Sequence, residues 1–180
     1  YCVVGPYIAN KAALEFEEEA PSGFFERVLS RLSSHGVRAH YGHWLIPGKP
    51  RAILLEHGNL WPSLGELKYT LYQHSGIESP TSEQVIDEAL LFAEAVQRLF
   101  AAVCSEASLA RKGDETADIP EHLVAQFHEW QGGAAIMGMR RAQLPVALVF
   151  TTHATQLGRY IASNEDGITV VVVTHEHDVA

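Results

Sequence analysis

Two apolar runs that each end in a cluster of chemically capable side chains constrain this chain more than any other feature. The first, Leu123-Val124-Ala125-Gln126-Phe127, runs into His128-Glu129-Trp130. The second, Val146-Ala147-Leu148-Val149-Phe150, ends at Thr151-Thr152-His153, and a polar turn with Gly158 and Arg159 follows. Such runs read as buried parallel strands. Between them Gln131–Gln143 reads as a helix stopped by Leu144-Pro145. Strand, helix and strand over Glu121–His153 make a βαβ unit of roughly the usual thirty residues. Its crossover is right-handed in nearly all proteins, so both strands bring their polar ends to one edge of the sheet. Open α/β sheets bind their ligands at that edge.

The expected fold class is therefore α/β, a mostly parallel sheet with helices on both faces. The 180 residues, 47% of them hydrophobic, suffice for the core of one domain. The net charge of −9, with 13 scattered Lys and Arg, argues against a nucleic-acid grip built on phosphate neutralisation. No apolar stretch approaches the roughly 20 residues that span a bilayer, so no membrane partner is expected. No signal peptide is visible, and the chain opens at Tyr1 inside an apolar run, which suggests a fragment. Cys2 and Cys104 form neither a disulfide framework nor a metal pattern, and reduced thiols fit a cytoplasmic setting. Isolated histidines such as His35, His40, His43 and His57 read as surface or hydrogen-bonded core residues.

Along the chain, Tyr1–Gly5 reads as a short buried strand, and Ala13–Glu19 as an acidic helical turn or solvated loop. Phe24, Phe25, Val28, Leu29 and Leu32 recur at helical spacing, with Ser22 as N-cap and Gly36 as terminator. Val37–Leu45 and Arg51–Glu56 flank the turn Pro47-Gly48-Lys49-Pro50, as in a hairpin. A short helix from Leu64 to Gln73 follows, its Trp and Tyr residues reading as packing groups. Thr81 and Gln84 fit a capping box that opens a helix with Val85, Ala89, Phe92, Val96, Leu99, Phe100 and Val103 on its apolar face. Ala107–Pro120 reads as a polar connector. Gly132, Gly133 and Gly138 permit the crossover helix to pack closely on the sheet.

The strand ends carry the chemistry. A neutral His153 can donate to a sugar hydroxyl or relay a proton. Glu129 can accept hydroxyls or stabilise positive charge developing at a sugar carbon. The glycines after Glu129 would let an anionic ligand approach the helix N-terminus, and the Arg159 fork could hold a phosphate or carboxylate. Spacing alone leaves open two plainer roles, Glu129 as a helix cap and His153 as the partner of a turn carbonyl.

The segment QFHEWQGGAAIMGMRRAQLPVALVFTTHATQLGRY closely resembles the glycogen synthases of the eukaryotic type, which share its His-Glu-Trp strand end, paired basic residues (here Arg140-Arg141), Leu-Pro-Val, Thr-Thr-His-Ala-Thr and Leu-Gly-Arg-Tyr. Upstream, Val4-Gly5-Pro6-Tyr7 and the segment GHWLIPGKP at Gly42–Pro50 also follow that family's order. The resemblance implies a Rossmann-like, incomplete N-terminal half of a two-domain glycosyltransferase-B fold. It implies transfer of glucose from UDP-glucose to the non-reducing end of an α-1,4-glucan with retention, without a metal or other cofactor. His153 and Glu129 would be the catalytic residues, and Arg159, His128 and Trp130 would bind substrate. The partners implied are the sugar nucleotide, the α-glucan acceptor and a missing C-terminal domain that supplies the nucleotide pocket, with a possible homo-oligomer in the full-length enzyme. Without that domain's cations the isolated chain is expected to be inactive.

The partial N-terminal domain is expected over residues 1–166, followed by a tail of uncertain origin over 167–180. The tail GITVVVVTHEHDVA resembles the strand and switch-histidine segment of ABC-transporter ATPase domains, in which His175 would face a nucleotide γ-phosphate. No phosphate loop of the G-x-x-x-x-G-K-[ST] type exists in the chain to support an ATPase. His175-Glu176-His177-Asp178 lacks the spacing and the further ligands of a zinc site. Two other readings of the whole remain: a non-catalytic glucan- or nucleotide-binding remnant, and a truncated or fused reading frame without selected function.

Overall fold

The computed structural model describes residues 1–9, 14–112 and 122–153. Arg159 and the tail with His175 lie outside the described residues. Strand β1 (Cys2–Pro6), strand β2 (Phe16–Glu18), helix α1 (Gly23–Ser34), strand β3 (Arg38–Trp44) and strand β4 (Arg51–Glu56) come first. A 3-10 turn (Gly58–Ser63), helix α2 (Leu64–Ser75) and the long helix α3 (Gln84–Lys112) follow. Strand β5 (Val124–His128), helix α4 (Glu129–Arg141) and strand β6 (Ala147–Thr151) complete the order.

The chain is α/β, but the sheet is mixed rather than mostly parallel. One sheet has the order β1-β4-β3-β2, and β5 and β6 form a second, two-stranded sheet. β1 runs parallel to β4 with Val4 opposite Ile53, whereas β3–β4 and β2–β3 are antiparallel. The short link from Trp44 to Arg51 explains the first reversal: a connection of that length can only return the chain antiparallel.

The acidic segment expected to be a turn or loop is the edge strand β2. It survives there because its charges face water or find partners, which also blunts the edge against pairing with other chains. Glu17 lies 3.7 Å from Lys49, and Glu18 lies 2.9 Å from His40 Nδ1. Opposite Glu18, Gly42 is obligatory, since a Cβ there would collide with the Glu17 carbonyl. His40 is a hydrogen-bonded core histidine: it is buried, stacks on Tyr7 at 3.7 Å, and has Glu56 Oε1 2.8 Å from Nε2.

Helix α1 buries Phe24, Val28 and Leu32, and Gly36 follows it at φ 80°. Helix α3 is the spine, packing on α1, β4 and α4. It opens at Gln84, three residues beyond the expected cap Thr81, and the Gln84 side chain reaches forward to Glu88 at 2.8 Å instead of back to a cap. Val85 is 57% exposed, but the rest of the expected face holds: Ala89, Val96 and Leu99 are buried and Phe92, Phe100 and Val103 pack against the core, with Leu91, Ala95 and Ala102 buried beside them. The stripe also continues past the expected connector boundary: Ala107 and Ala110 are buried, and α3 ends only at Lys112. Just before them Glu106 is buried against Arg31 at 2.5 Å and Arg27 at 3.7 Å, so this acid is paired. Trp61, Tyr69 and Tyr72, expected to pack, are exposed instead.

The βαβ unit forms as its pattern requires, with β5 and β6 parallel and Phe127 opposite Phe150. Ala125, Phe127, Ala135 and Met139 join one core cluster with Leu55, Leu91 and Leu99. The strands are not buried on both faces, however. Val124 and Val149 are exposed on one face of the pair, so the described helices cover only the other. No described strand pairs with the free edge of β5 or β6, which leaves these apolar runs half-sheltered.

Candidate active site

The register of β5 on β6 sets the site. His128 stands opposite Thr151, so the residues just beyond each strand, Glu129 on one side and Thr152 and His153 on the other, meet at the same sheet edge. Gln126 reinforces the register by donating from Nε2 to Thr151 Oγ1 at 3.0 Å. All of these are surface groups except Glu129 and Thr151, which are half-buried.

Glu129 is the centre of the arrangement. Its backbone adopts φ 58°, left-handed and disfavoured for a residue with a Cβ, at the first position of α4. That conformation turns the carboxylate away from its own helix and across to β6. There Oε1 accepts the His153 backbone N–H at 2.6 Å, and Oε2 accepts the Thr152 hydroxyl at 3.4 Å. The carboxylate thus clips one strand end to the other. Strained backbone persists where surrounding contacts over-determine it, and such positions concentrate at functional sites.

His128 and His153 are in direct contact, with Nδ1 of the first 2.8 Å from Nε2 of the second. Trp130, 50% exposed, sits one residue further along α4. The structure therefore brings together four of the five expected site residues: His128, Glu129, Trp130 and His153. The fifth, Arg159, lies outside the described residues. Thr152 and Gln126 are part of the arrangement and were given no role from sequence, although the parallel register of two adjacent runs would have paired them.

Two sequence expectations need correction. Gly133 does not open the helix start to a ligand: a Cβ there would lie 2.6 Å from the Phe150 ring, so that space is taken by β6. Gly138 packs on the Gln97 side chain of α3 rather than on the sheet. The paired bases Arg140 and Arg141 stand at the far end of α4, roughly 17 Å of helix from Glu129. They line a cavity of about 460 Å³ between α2, α3 and α4, with Glu94 and Gln97, and do not reach the strand ends.

The thiols take no part in this chemistry. Burial pushes the Cys2 thiol up to about 11, with Arg51 opposing, and burial likewise raises Cys104. Tyr41 is raised by its desolvation too. Among the described residues there is no cluster of three or more His, Cys, Asp or Glu able to hold a metal, and no helix long and apolar enough to cross a membrane.

The sequence comparisons decide the family. The glycogen synthase family model matches residues 1–171. The chain belongs to the glycogen synthase family. It is 30% identical over 168 residues to the liver glycogen [starch] synthase of Mus musculus, covering 92% of this chain and 22% of that protein. Against glycogen [starch] synthase of Neurospora crassa the identity is 32% over 165 residues, with 91% and 22% covered. The Dictyostelium discoideum glycogen [starch] synthase is 30% identical over 164 residues, 91% of this chain and 17% of the relative. The chain thus spans about a fifth of the length of these relatives.

Proposed function

We propose that this chain is part of a glycogen synthase that transfers glucose from UDP-glucose to the non-reducing end of an α-1,4-glucan, with retention at the anomeric carbon. The observation that carries the reading is the Glu129 bridge. A strained residue clips the ends of two parallel strands at the sheet edge where α/β folds bind ligands, and presents His128, Trp130 and His153 around it. In this reading His153 contacts the donor glucose. The half-buried Glu129 carboxylate holds the His153 backbone and supplies negative potential where positive charge develops at the sugar carbon. Trp130 offers an exposed ring face for a sugar or base to stack on. His128 and Arg159 complete the substrate contacts.

The chain forms one wall of a two-domain glycosyltransferase-B cleft, and the cationic groups that would stabilise the departing diphosphate belong to the second domain. Each such donor is worth roughly 3–4 kcal/mol, so their absence lowers the rate by many powers of ten. The 180-residue chain alone is therefore inactive, needs no metal or other cofactor for what it does contribute, and works in the cytoplasm. A radiolabelled transfer assay from UDP-glucose to glycogen tests this: no turnover is expected from the isolated chain, and turnover comparable to that of an intact glycogen synthase would overturn it.

A further inference from the structure

The contact between His128 and His153 has a geometry that fixes more than proximity. Their ring planes are 9° apart and their centroids 5.0 Å apart, while Nδ1 and Nε2 approach to 2.8 Å. A true stack in this protein looks different: Tyr7 and His40 have centroids 3.7 Å apart at 12°. The 5.0 Å separation matches one hydrogen bond plus the two ring radii, so the rings lie edge to edge in nearly one plane. That is a linear imidazole–imidazole hydrogen bond, with the acceptor lone pair aimed along the donor N–H.

Two neutral rings joined this way cannot choose their tautomers independently. If His153 donates from Nε2, His128 accepts on Nδ1 and carries its own proton on Nε2. If His128 donates from Nδ1, both rings must carry their protons on Nδ1. Only the first arrangement gives both rings the Nε2–H form that a histidine side chain prefers in water. The backbone of His153 is held independently, its N–H donated to Glu129 Oε1 at 2.6 Å. Glu129 thus anchors the main chain of His153, while His128 meets its ring. The Gln126 to Thr151 bond beneath them holds the strand register on which the contact depends.

We infer that His128 is a positioning residue: it locks His153 in the Nε2–H tautomer and sets the plane of its ring, so that His153 presents Nδ1 as an acceptor. The relevance to glucosyl transfer rests on the reading proposed above; the lock itself does not. Ring 15N spectra of the uniformly labelled 180-residue chain at a pH where both rings are neutral provide the test. For both histidines Nε2 should resonate at the protonated end of the imidazole range and Nδ1 at the unprotonated end, with cross-ring coupling between His153 Nε2 and His128 Nδ1. In His128→Ala the His153 nitrogens should move towards exchange-averaged values. In His128→Asn the amide oxygen replaces Nδ1 as acceptor and should restore the locked pattern. Averaged His153 nitrogens in the unsubstituted chain, or no response of His153 to His128→Ala in a chain that retains its folded amide spectrum, would overturn the inference. UDP-glucose added to the same samples separates the two readings: a locked pair that the nucleotide leaves untouched counts against the glucosyl-transfer reading alone.

Discussion

Replacing Glu129 by alanine and by glycine should give stabilities in the reverse of the usual order. At an ordinary helical position glycine is about 1 kcal/mol less stable than alanine. Glu129, however, holds φ 58° at the first position of α4, where any residue with a Cβ is strained by roughly 1–2 kcal/mol. Both substitutions lose the carboxylate that accepts from His153 N–H at 2.6 Å and Thr152 Oγ1 at 3.4 Å. Hydrogen bonds to a charged group are worth about 1.5–3 kcal/mol, and the half-exposed setting favours the lower end. Alanine keeps the strain and loses the bonds, so Glu129→Ala should cost about 1.5–2 kcal/mol. Glycine relieves the strain but adds about 0.4–1 kcal/mol of unfolded-chain entropy. Glu129→Gly should therefore be more stable than Glu129→Ala by roughly 0.5–1 kcal/mol. Glu129→Gln keeps an acceptor oxygen without the charge and should fall between the parent and alanine. Urea melts followed by circular dichroism read all three. If alanine proves as stable as glycine or better, the left-handed strain at this position is refuted.

Met139 is fully buried between α4 and the core, and Met139→Ala should lower stability by about 2–5 kcal/mol in the same melts. Gly133→Ala places a methyl against the Phe150 ring and should cost about 1–3 kcal/mol; because that ring is 53% exposed and can be cut back, adding Phe150→Ala should recover most of the loss, a coupling read by a double-mutant cycle. Cys2, its thiol raised from 9.0 to about 11, should resist alkylation by iodoacetamide at neutral pH in the folded chain and react readily in urea. Because the folded-state value lies above the unfolded one, the stability this thiol contributes is complete below pH 9.0 and is lost as the pH climbs through about 11, a decline that Cys2→Ala should reduce.

The βαβ unit was legible because its two apolar runs, its glycine-bearing helix and the Leu144-Pro145 stop all agree at the local level. The parallel register then follows from the crossover rule, and with it the meeting of His128, Glu129 and His153. The hairpin of β3 and β4 was equally legible from the turn between them. What the residues did not show is tertiary in origin. β2 reads as an acidic turn because three strand residues with two exposed carboxylates carry no alternation; its antiparallel pairing with β3 makes it an edge strand, and the Glu18 to His40 and Glu17 to Lys49 contacts give its charges partners. The mixed sheet was obscured by weighting the βαβ unit over the hairpin already visible upstream. The extension of α3 through Ala107 and Ala110 hid behind Glu106, an acid that looks solvent-facing until Arg27 and Arg31 of another helix are placed beside it. At the site, the roles of Glu129 and His153 were open between capping and catalysis. The positive φ of Glu129, which no residue type announces, is what turns its carboxylate across the strands.

The account stands most directly on where a sugar nucleotide binds. Amide and ring 15N shifts of the labelled chain, followed as UDP-glucose is added in large excess, show where its glucose end touches this wall of the cleft, the nucleotide end being left to the second domain. The account predicts that the largest changes fall on His128, Glu129, Trp130, Thr152 and His153, and that Glu129→Gln weakens them. Changes centred instead on the cavity between α2, α3 and α4, around Glu94, Gln97 and Arg140, would contradict it.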